Sequence, residues 1–148
     1  LAGRSINDSM GHFIAERTIT ELTNQGVNPK DAKIAVFGLT FKENCPDLRN
    51  TKVTDILEYL KSNKCQVVVT DEWADPGEAK KEINVDLVDL DSIQGYDAAI
   101  LAVGHEAYTN FTTDDWQRML TEDGVVIDVK SLYDKDTFSG TSIKHWRL

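Results

Sequence analysis

Several features that would assign this chain to a specialised class are missing from its sequence. No apolar run approaches the roughly 18 residues of a membrane-spanning helix, and no charged-then-apolar signal peptide opens the chain. Basic residues are also few, with 16 Lys and Arg against 25 Asp and Glu and a net charge of −9. Nucleic acids and anionic membranes bind basic surfaces, so this charge argues against both as partners.

Cysteine and histidine are scarce as well. Cys45 and Cys65 form neither a disulfide framework nor a metal-binding motif, and the histidines at 12, 105 and 145 lack metal-ligand spacing. We therefore expect no bound metal. Cys65 opens an apolar run and is expected to be a small buried side chain. Cys45 has no neighbouring histidine or helix N-terminus that would activate a nucleophile.

Length and composition indicate one compact domain. The 148 residues, 41% hydrophobic and 28% charged, are typical of a soluble globular protein with a single core. Because the chain opens with Leu1 rather than Met, we expect it to be part of a longer protein and to be cytoplasmic.

Short apolar runs that alternate with amphipathic segments predict an α/β fold. Residues 5–24 have helical periodicity that Gly26 ends. Buried strands are predicted at 33–38, 66–70, 86–88, 98–103 and 125–128, with a final edge strand at 143–148. Helices are predicted at 53–63, at 76–82 and from residue 112, the last carrying Trp116, Met119 and Leu120.

Right-handed crossovers between such strands give a doubly wound, Rossmann-like parallel sheet of five to six strands, preceded by one N-terminal helix. At a polar turn at 28–31, the helical spacing of apolar residues gives way to short apolar runs. We therefore divide the chain into residues 1–27 and a domain of residues 28–148.

Ligands of doubly wound sheets bind at the carboxyl ends of the strands, where the strand order reverses. The loop of residues 38–50 follows the first predicted strand there, and it lacks the G-x-G-x-x-G fingerprint of dinucleotide-binding sheets. It carries Phe41, Lys42 and Arg49, and Lys130 leaves the same edge after the fifth strand. These cations can neutralise a phosphate while Phe41 covers a ribose or base. Alternatively the lysines are solvated surface residues, and Arg49 pairs with Asp47 to brace the loop.

Two further side chains lie at this predicted edge. His105 follows the fourth strand and either donates to a phosphate or substrate hydroxyl or has a structural role. Asp71 ends the second strand, where dinucleotide-binding sheets place a ribose-binding carboxylate, but the glycine fingerprint that would accompany it is absent.

Three segments together resemble the UDP-glucose/GDP-mannose dehydrogenase family. They are AGRSINDSM at 2–10, GLTFKENCPDLRNTKV at 38–53 and DEWADP at 71–76, and the middle one is the most specific. The resemblance covers nearly the whole chain. Its details are most similar to the bacterial branch that acts on UDP-N-acetylhexosamines, whose products feed capsule, O-antigen or related polysaccharides.

The resemblance implies a division of labour. Family members have an N-terminal NAD-binding Rossmann domain, a helical central domain and a C-terminal Rossmann-like domain that binds the UDP-sugar. They oxidise the sugar C6 alcohol to a carboxylate with two NAD and a catalytic cysteine, through a thiohemiacetal and a thioester. Residues 1–27 would be the end of the central-domain helix and a linker, and residues 28–148 the UDP-sugar-binding domain.

The catalytic cysteine and the main NAD site would then lie outside this chain, since Cys45 does not match the nucleophile segment. We therefore assign no catalytic residue here and expect no turnover by this chain alone. Family members dimerise through the central domain, so a homodimer is implied for the full-length protein.

Site residues carry over by position. Phe41 and Lys42 fall on the Phe-Lys pair that contacts the nucleotide sugar, and Lys130 falls on a basic position that also reaches the substrate. Arg49 matches a residue near the domain junction and active site. The identity of the sugar stays open. The alternative function is a stand-alone Rossmann-like module that senses a nucleotide or mediates assembly without catalysis.

Overall fold

The computed structural model describes residues 2–148, with the side chains of residues 2–9 left aside. Within that range the chain forms four α-helices and five β-strands. In chain order they are α1 (Ala2–Asn24), β1 (Lys33–Phe37), α2 (Val53–Ser62), β2 (Gln66–Thr70), α3 (Pro76–Ile83), β3 (Tyr96–Leu101), α4 (Thr113–Met119), β4 (Leu120–Asp128) and β5 (Lys144–Arg147). Short 3₁₀ turns cover Leu90–Ser92 and Glu106–Asn110.

The five strands form one parallel sheet in the order β2-β1-β3-β4-β5. Strand β1 lies between β2 and β3, so the direction of winding reverses on either side of it. Ile34 pairs with Val67 on one side and with Ala98 on the other. This confirms the doubly wound fold and places the crevice between β1 and β3, at the strands predicted to flank it.

Alternate residues of β1 face two separate cores. Ile34 and Val36 pack in the cluster that includes α1 and α2. Ala35 and Phe37 face the opposite cluster, where the Phe37 ring lies 5.5 Å from that of Trp116 on α4. Burying a side chain such as Phe37 stabilises the fold by about 1.5–3 kcal/mol. The result is a three-layer α/β/α domain.

Helix α1 packs into the same core as the sheet. Ile14 and Leu22 are buried there, and Gly11 lets α1 approach α2 so closely that a Cβ on it would lie 2.9 Å from Cβ of Asp55. The helix ends in a Schellman motif, in which the Val27 N–H donates to the Leu22 carbonyl at 2.9 Å and Gly26 has φ +82°. The division at residues 27 and 28 stays a prediction.

Two sequence expectations were wrong. Residues 86–88 do not form a strand of the sheet; only Leu87 makes an isolated parallel bridge, to Val69. After the left-handed Asn84 that caps α3, the chain reaches the 3₁₀ turn at Leu90 within six residues, which leaves no length for a ladder. Leu120 is also not helical, because its extended backbone (φ −113°, ψ 159°) already begins β4.

The expected edge strand at 143–148 is confirmed as β5. Within residues 2–148, no helix is both long and apolar enough to cross a bilayer.

Candidate functional site

A cleft of about 270 Å³ opens at the carboxyl edge of the sheet. Its walls come from the loop after β1, the first turn of α2, the segments after β3 and β4, and one face of α1. Met10, Gly11 and Ile14 are the α1 residues that line it. The cleft therefore lies where the strand order reverses, the position at which doubly wound sheets bind ligands.

The structure brings three of the four predicted site residues to this cleft. Phe41 and Lys42 line it from the loop after β1, and Lys130 lines it from the turn after β4. The side chain of Phe41 is 53% exposed, which leaves its ring accessible to a ligand. Two loops far apart in sequence thus direct their lysines to one place.

Arg49 lies outside the lining of the cleft. Its Nε and Nη2 donate to the carboxylate of Asp47 at 3.0 and 3.1 Å, and its side chain is 86% exposed. The hydrogen bond from the Arg49 side chain lowers the pKa of Asp47. The sequence left two roles open for Arg49, pairing with Asp47 or contact with a ligand. The pairing is present, and the ligand contact stays a prediction.

The charge of the cleft is opposite to that of the whole chain. Lys42, Lys52 and Lys130 line it, and among the side chains that the structure describes Glu43 is the single carboxylate in its lining. The chain as a whole carries −9. A cleft with this lining favours an anion.

Asp71, at the end of β2, anchors the loop that carries Phe41 and Lys42. Its Oδ2 accepts the backbone N–H groups of Leu39 at 2.6 Å and Thr40 at 3.0 Å. Its Oδ1 accepts those of Trp73 at 2.8 Å and Ala74 at 3.2 Å. Burial raises the pKa of Asp71, but the hydrogen bonds from His105 and from the Leu39 and Thr40 amides outweigh burial and lower it overall.

His105 is fully buried beside Asp71 and does not line the cleft. Its Nε2 lies 3.0 Å from Oδ2 of Asp71, and its Nδ1 accepts the backbone N–H of Asn44 at 2.9 Å. A backbone amide can only donate, so Nδ1 carries no hydrogen and Nε2–H donates to Asp71. The structure thus favours the structural role of His105 over a direct contact with a ligand.

These contacts leave the Asp71 carboxylate, at the end of β2, not free to bind the ribose of NAD. The carboxylate of Asp71, where a ribose hydroxyl would bind in a dinucleotide site, is fully buried and accepts four backbone amides and an imidazole. The loop after β1 likewise lacks the glycine fingerprint.

Gly38 makes the turn into the loop possible. It has φ +101°, and a Cβ on it would lie 2.5 Å from Cβ and 2.9 Å from the backbone nitrogen of Val103. Only glycine adopts this conformation without strain and leaves room for the segment after β3.

Both cysteines are free thiols. Cys65 is buried, as predicted, and burial raises the pKa of its thiol. Cys45 is half-buried in the loop after β1 and unpaired. Among the described side chains, those of residues 10–148, no three His, Cys, Asp or Glu are grouped to hold a metal ion.

Sequence reasoning missed the contributions of α1 and Lys52. Met10 and Ile14 reach the cleft only because α1 packs across α2, and their spacing gave no sign of it. Lys52 precedes α2 and lines the cleft. Its place just after the long loop, as the N-cap residue of the following helix, was the signal that could have identified it.

Comparison with known proteins gives a consistent result. Residues 35–135 match the model of the UDP-glucose/GDP-mannose dehydrogenase family, UDP binding domain. The chain is 43% identical over its whole length to Protein CapL of Staphylococcus aureus and covers 34% of that protein. It is 38% identical over 136 residues to UDP-N-acetyl-D-glucosamine 6-dehydrogenase of Pseudomonas aeruginosa, covering 92% of this chain and 32% of that one.

Among solved structures, the NDP-N-acetyl-D-galactosaminuronic acid dehydrogenase of Methanosarcina mazei Go1 superposes with a TM-score of 0.84. Its 23% identity, over 97% of this chain and 30% of that chain, shows the fold alone. The chain spans about a third of the length of these relatives.

Proposed function

Because this chain belongs to the UDP-glucose/GDP-mannose dehydrogenase family, as its UDP-binding domain, we propose that its cleft binds the UDP part of a nucleotide sugar. The full-length protein then oxidises C6 of that sugar from alcohol to carboxylate with NAD. The observation that carries the proposal is the meeting of Lys42 and Lys130 in one cleft of an acidic chain.

Each lining residue has a part in the proposal. Lys42 and Lys130 bind the diphosphate, because ammonium groups are strong donors to phosphate oxygens. Phe41 covers the uracil or the ribose with its exposed ring. Arg49 lies at the junction with the rest of the protein, which suits its exposure outside the cleft.

The domain binds the part of the substrate that does not react. Binding energy from the UDP, remote from C6, orients the sugar against reacting groups on other domains and lowers the entropic part of the barrier. NAD supplies the hydride acceptor, and we assign its binding and the catalytic cysteine to the parts of the longer protein outside this chain. The absence of an NAD fit around Asp71 supports that assignment.

We propose a UDP-N-acetylhexosamine as the substrate and polysaccharide biosynthesis as the pathway. Support comes from the relative named UDP-N-acetyl-D-glucosamine 6-dehydrogenase, which is 38% identical to this chain. A cytoplasmic homodimer is the proposed state of the full-length protein, and that part rests on family resemblance.

Calorimetric titration of this chain with UDP, UDP-N-acetylglucosamine, GDP and NAD tests the proposal. UDP should bind more tightly than GDP or NAD. Lys42→Ala and Lys130→Ala should each weaken UDP about 10- to 100-fold, because a hydrogen bond to a charged group contributes about 1.5–3 kcal/mol. Lys81→Ala, which removes an exposed lysine of α3 outside the cleft, should leave the affinity unchanged. Tighter binding of NAD than of UDP would overturn the proposal.

A further inference from the structure

The Phe41–Lys42 segment is held at both ends by one buried pair of side chains. On its N-terminal side the Thr40 N–H donates to Oδ2 of Asp71 at 3.0 Å. On its C-terminal side the Asn44 N–H donates to Nδ1 of His105 at 2.9 Å. The pair closes on itself through the 3.0 Å contact between Nε2 of His105 and Oδ2 of Asp71, and both side chains are 0% exposed.

The turn between these anchors is tied further to its surroundings. Asn44 has φ +53°, and its Oδ1 accepts the Glu106 N–H at 3.0 Å. Thr40 Oγ1 donates to the Lys42 carbonyl at 3.0 Å. The imidazole of His105 is thus the rigid element that joins the end of β2 to the far side of the turn.

We propose that His105, acting through Nδ1, is a positioning residue that holds Phe41 and Lys42 in the conformation that binds the nucleotide diphosphate. The role rests on the proposed function of the cleft. His105 does not line the cleft; it acts through the backbone of Asn44, and its Nε2 also lies 3.3 Å from the Thr40 hydroxyl.

The physical reason is the mobility that the turn would otherwise have. Phe41 and Lys42 are exposed, so little packing orders them, and fixing one residue's backbone costs about 1–2 kcal/mol. A ligand binds only when the segment is in the binding conformation. Its apparent Kd is therefore the intrinsic Kd divided by the fraction of molecules that already have that conformation. Removal of the Nδ1 acceptor leaves the Asn44 N–H without its partner and favours opening of the turn.

Two substitutions separate the two bonds of the imidazole. His105→Asn keeps an acceptor oxygen near the position of Nδ1 and loses the donor to Asp71. His105→Gln keeps a donor near the position of Nε2 and loses the acceptor for Asn44. Each variant loses one buried hydrogen bond, so both should have a lowered Tm, and they serve as controls for each other.

We expect His105→Gln to weaken UDP binding about 5- to 10-fold and His105→Asn to change it less than about 2-fold, both measured well below their melting temperatures. A purely structural histidine would lower the Tm of both variants and leave the affinity of the folded protein equal in both. Equal affinity in the two variants would therefore overturn the proposal.

Amide hydrogen exchange at Asn44 tests the anchor without any ligand. Exchange should be faster in His105→Gln than in His105→Asn, and equal rates would overturn the proposal. A wild-type chain that does not bind UDP, with the exchange difference intact, would refute the proposed function and not the anchor.

Ring ¹⁵N shifts of the wild-type chain need no variant. They should show His105 as the neutral Nε2–H tautomer, and an Nδ1–H or doubly protonated ring at neutral pH would overturn the proposal.

Discussion

Substitution of Gly38 by alanine should be among the most damaging single-methyl changes in this domain. The residue has φ +101°, and the new Cβ would lie 2.5 Å from Cβ of Val103. The left-handed backbone costs about 1–2 kcal/mol for a residue with a Cβ, and relief of the overlap costs about 1–3 kcal/mol. The free energy of unfolding should therefore fall by about 2–5 kcal/mol, a large part of the roughly 5–15 kcal/mol of a typical domain.

Thermal unfolding followed by circular dichroism measures this loss. For a domain of this size, the Tm should fall by about 4–20 °C, at about 2–4 °C for each kcal/mol. Gly26→Ala is the matched control, because Gly26 has φ +82° and nothing lies within 4 Å of its added Cβ. It should lose only the backbone contribution, about 1–2 kcal/mol.

The comparison of the two variants isolates the contact with Val103. If Gly38→Ala lowers the Tm no more than Gly26→Ala, the close approach of the loop base to the segment after β3 is wrong. The placement of Phe41 and Lys42 that depends on it would then be wrong too.

Three further predictions concern other parts of the chain. Burial raises the pKa of Asp128, but its hydrogen bonds, first the one with His145, outweigh burial and hold the pKa below the ordinary 3.8. The ionised Asp128 therefore stabilises the fold above pH 3.8, and this contribution is lost as the pH falls through the folded pKa. The Tm should thus decline as the pH falls below the ordinary 3.8 of an aspartate, and less steeply in Asp128→Asn; equal slopes would contradict this assignment. Thr112→Ala removes the capping box formed with Asp115 and should cost about 1 kcal/mol in denaturant unfolding, whereas Thr112→Ser should cost little. Arg49→Ala should leave the Tm unchanged because its ion pair is exposed, and a clear loss would show that the pair braces the loop.

The fold was predictable where a local signal and the tertiary environment agree. The helix predicted at 76–82 is α3, whose start Asp75 and Pro76 mark: the Asp75 side chain accepts the Gly77 N–H at 3.2 Å as its cap. The run at Gln66–Thr70 forms a strand as predicted, but it is an edge strand and only its last two residues are buried. Where the signal was only two apolar residues after an aspartate, as at 86–88, the helix cap on one side and the turn on the other decided the conformation.

The candidate site was predictable only in part. Topology alone brings the residues after β1 and β4 to one edge of the sheet, so Lys42 and Lys130 could be placed together from sequence. The contributions of Met10 and Ile14 depend on how α1 crosses α2, which residue spacing does not encode. The role of His105 depends on which ring nitrogen faces Asn44, and that requires coordinates.

The most direct test of the cleft is a crystal structure of this chain with UDP bound. If the cleft binds UDP, the diphosphate should lie within about 3 Å of the Nζ atoms of Lys42 and Lys130, with the uracil or ribose against Phe41. A diphosphate bound elsewhere, for example in the cavity beside Thr70 and Leu90, would contradict it.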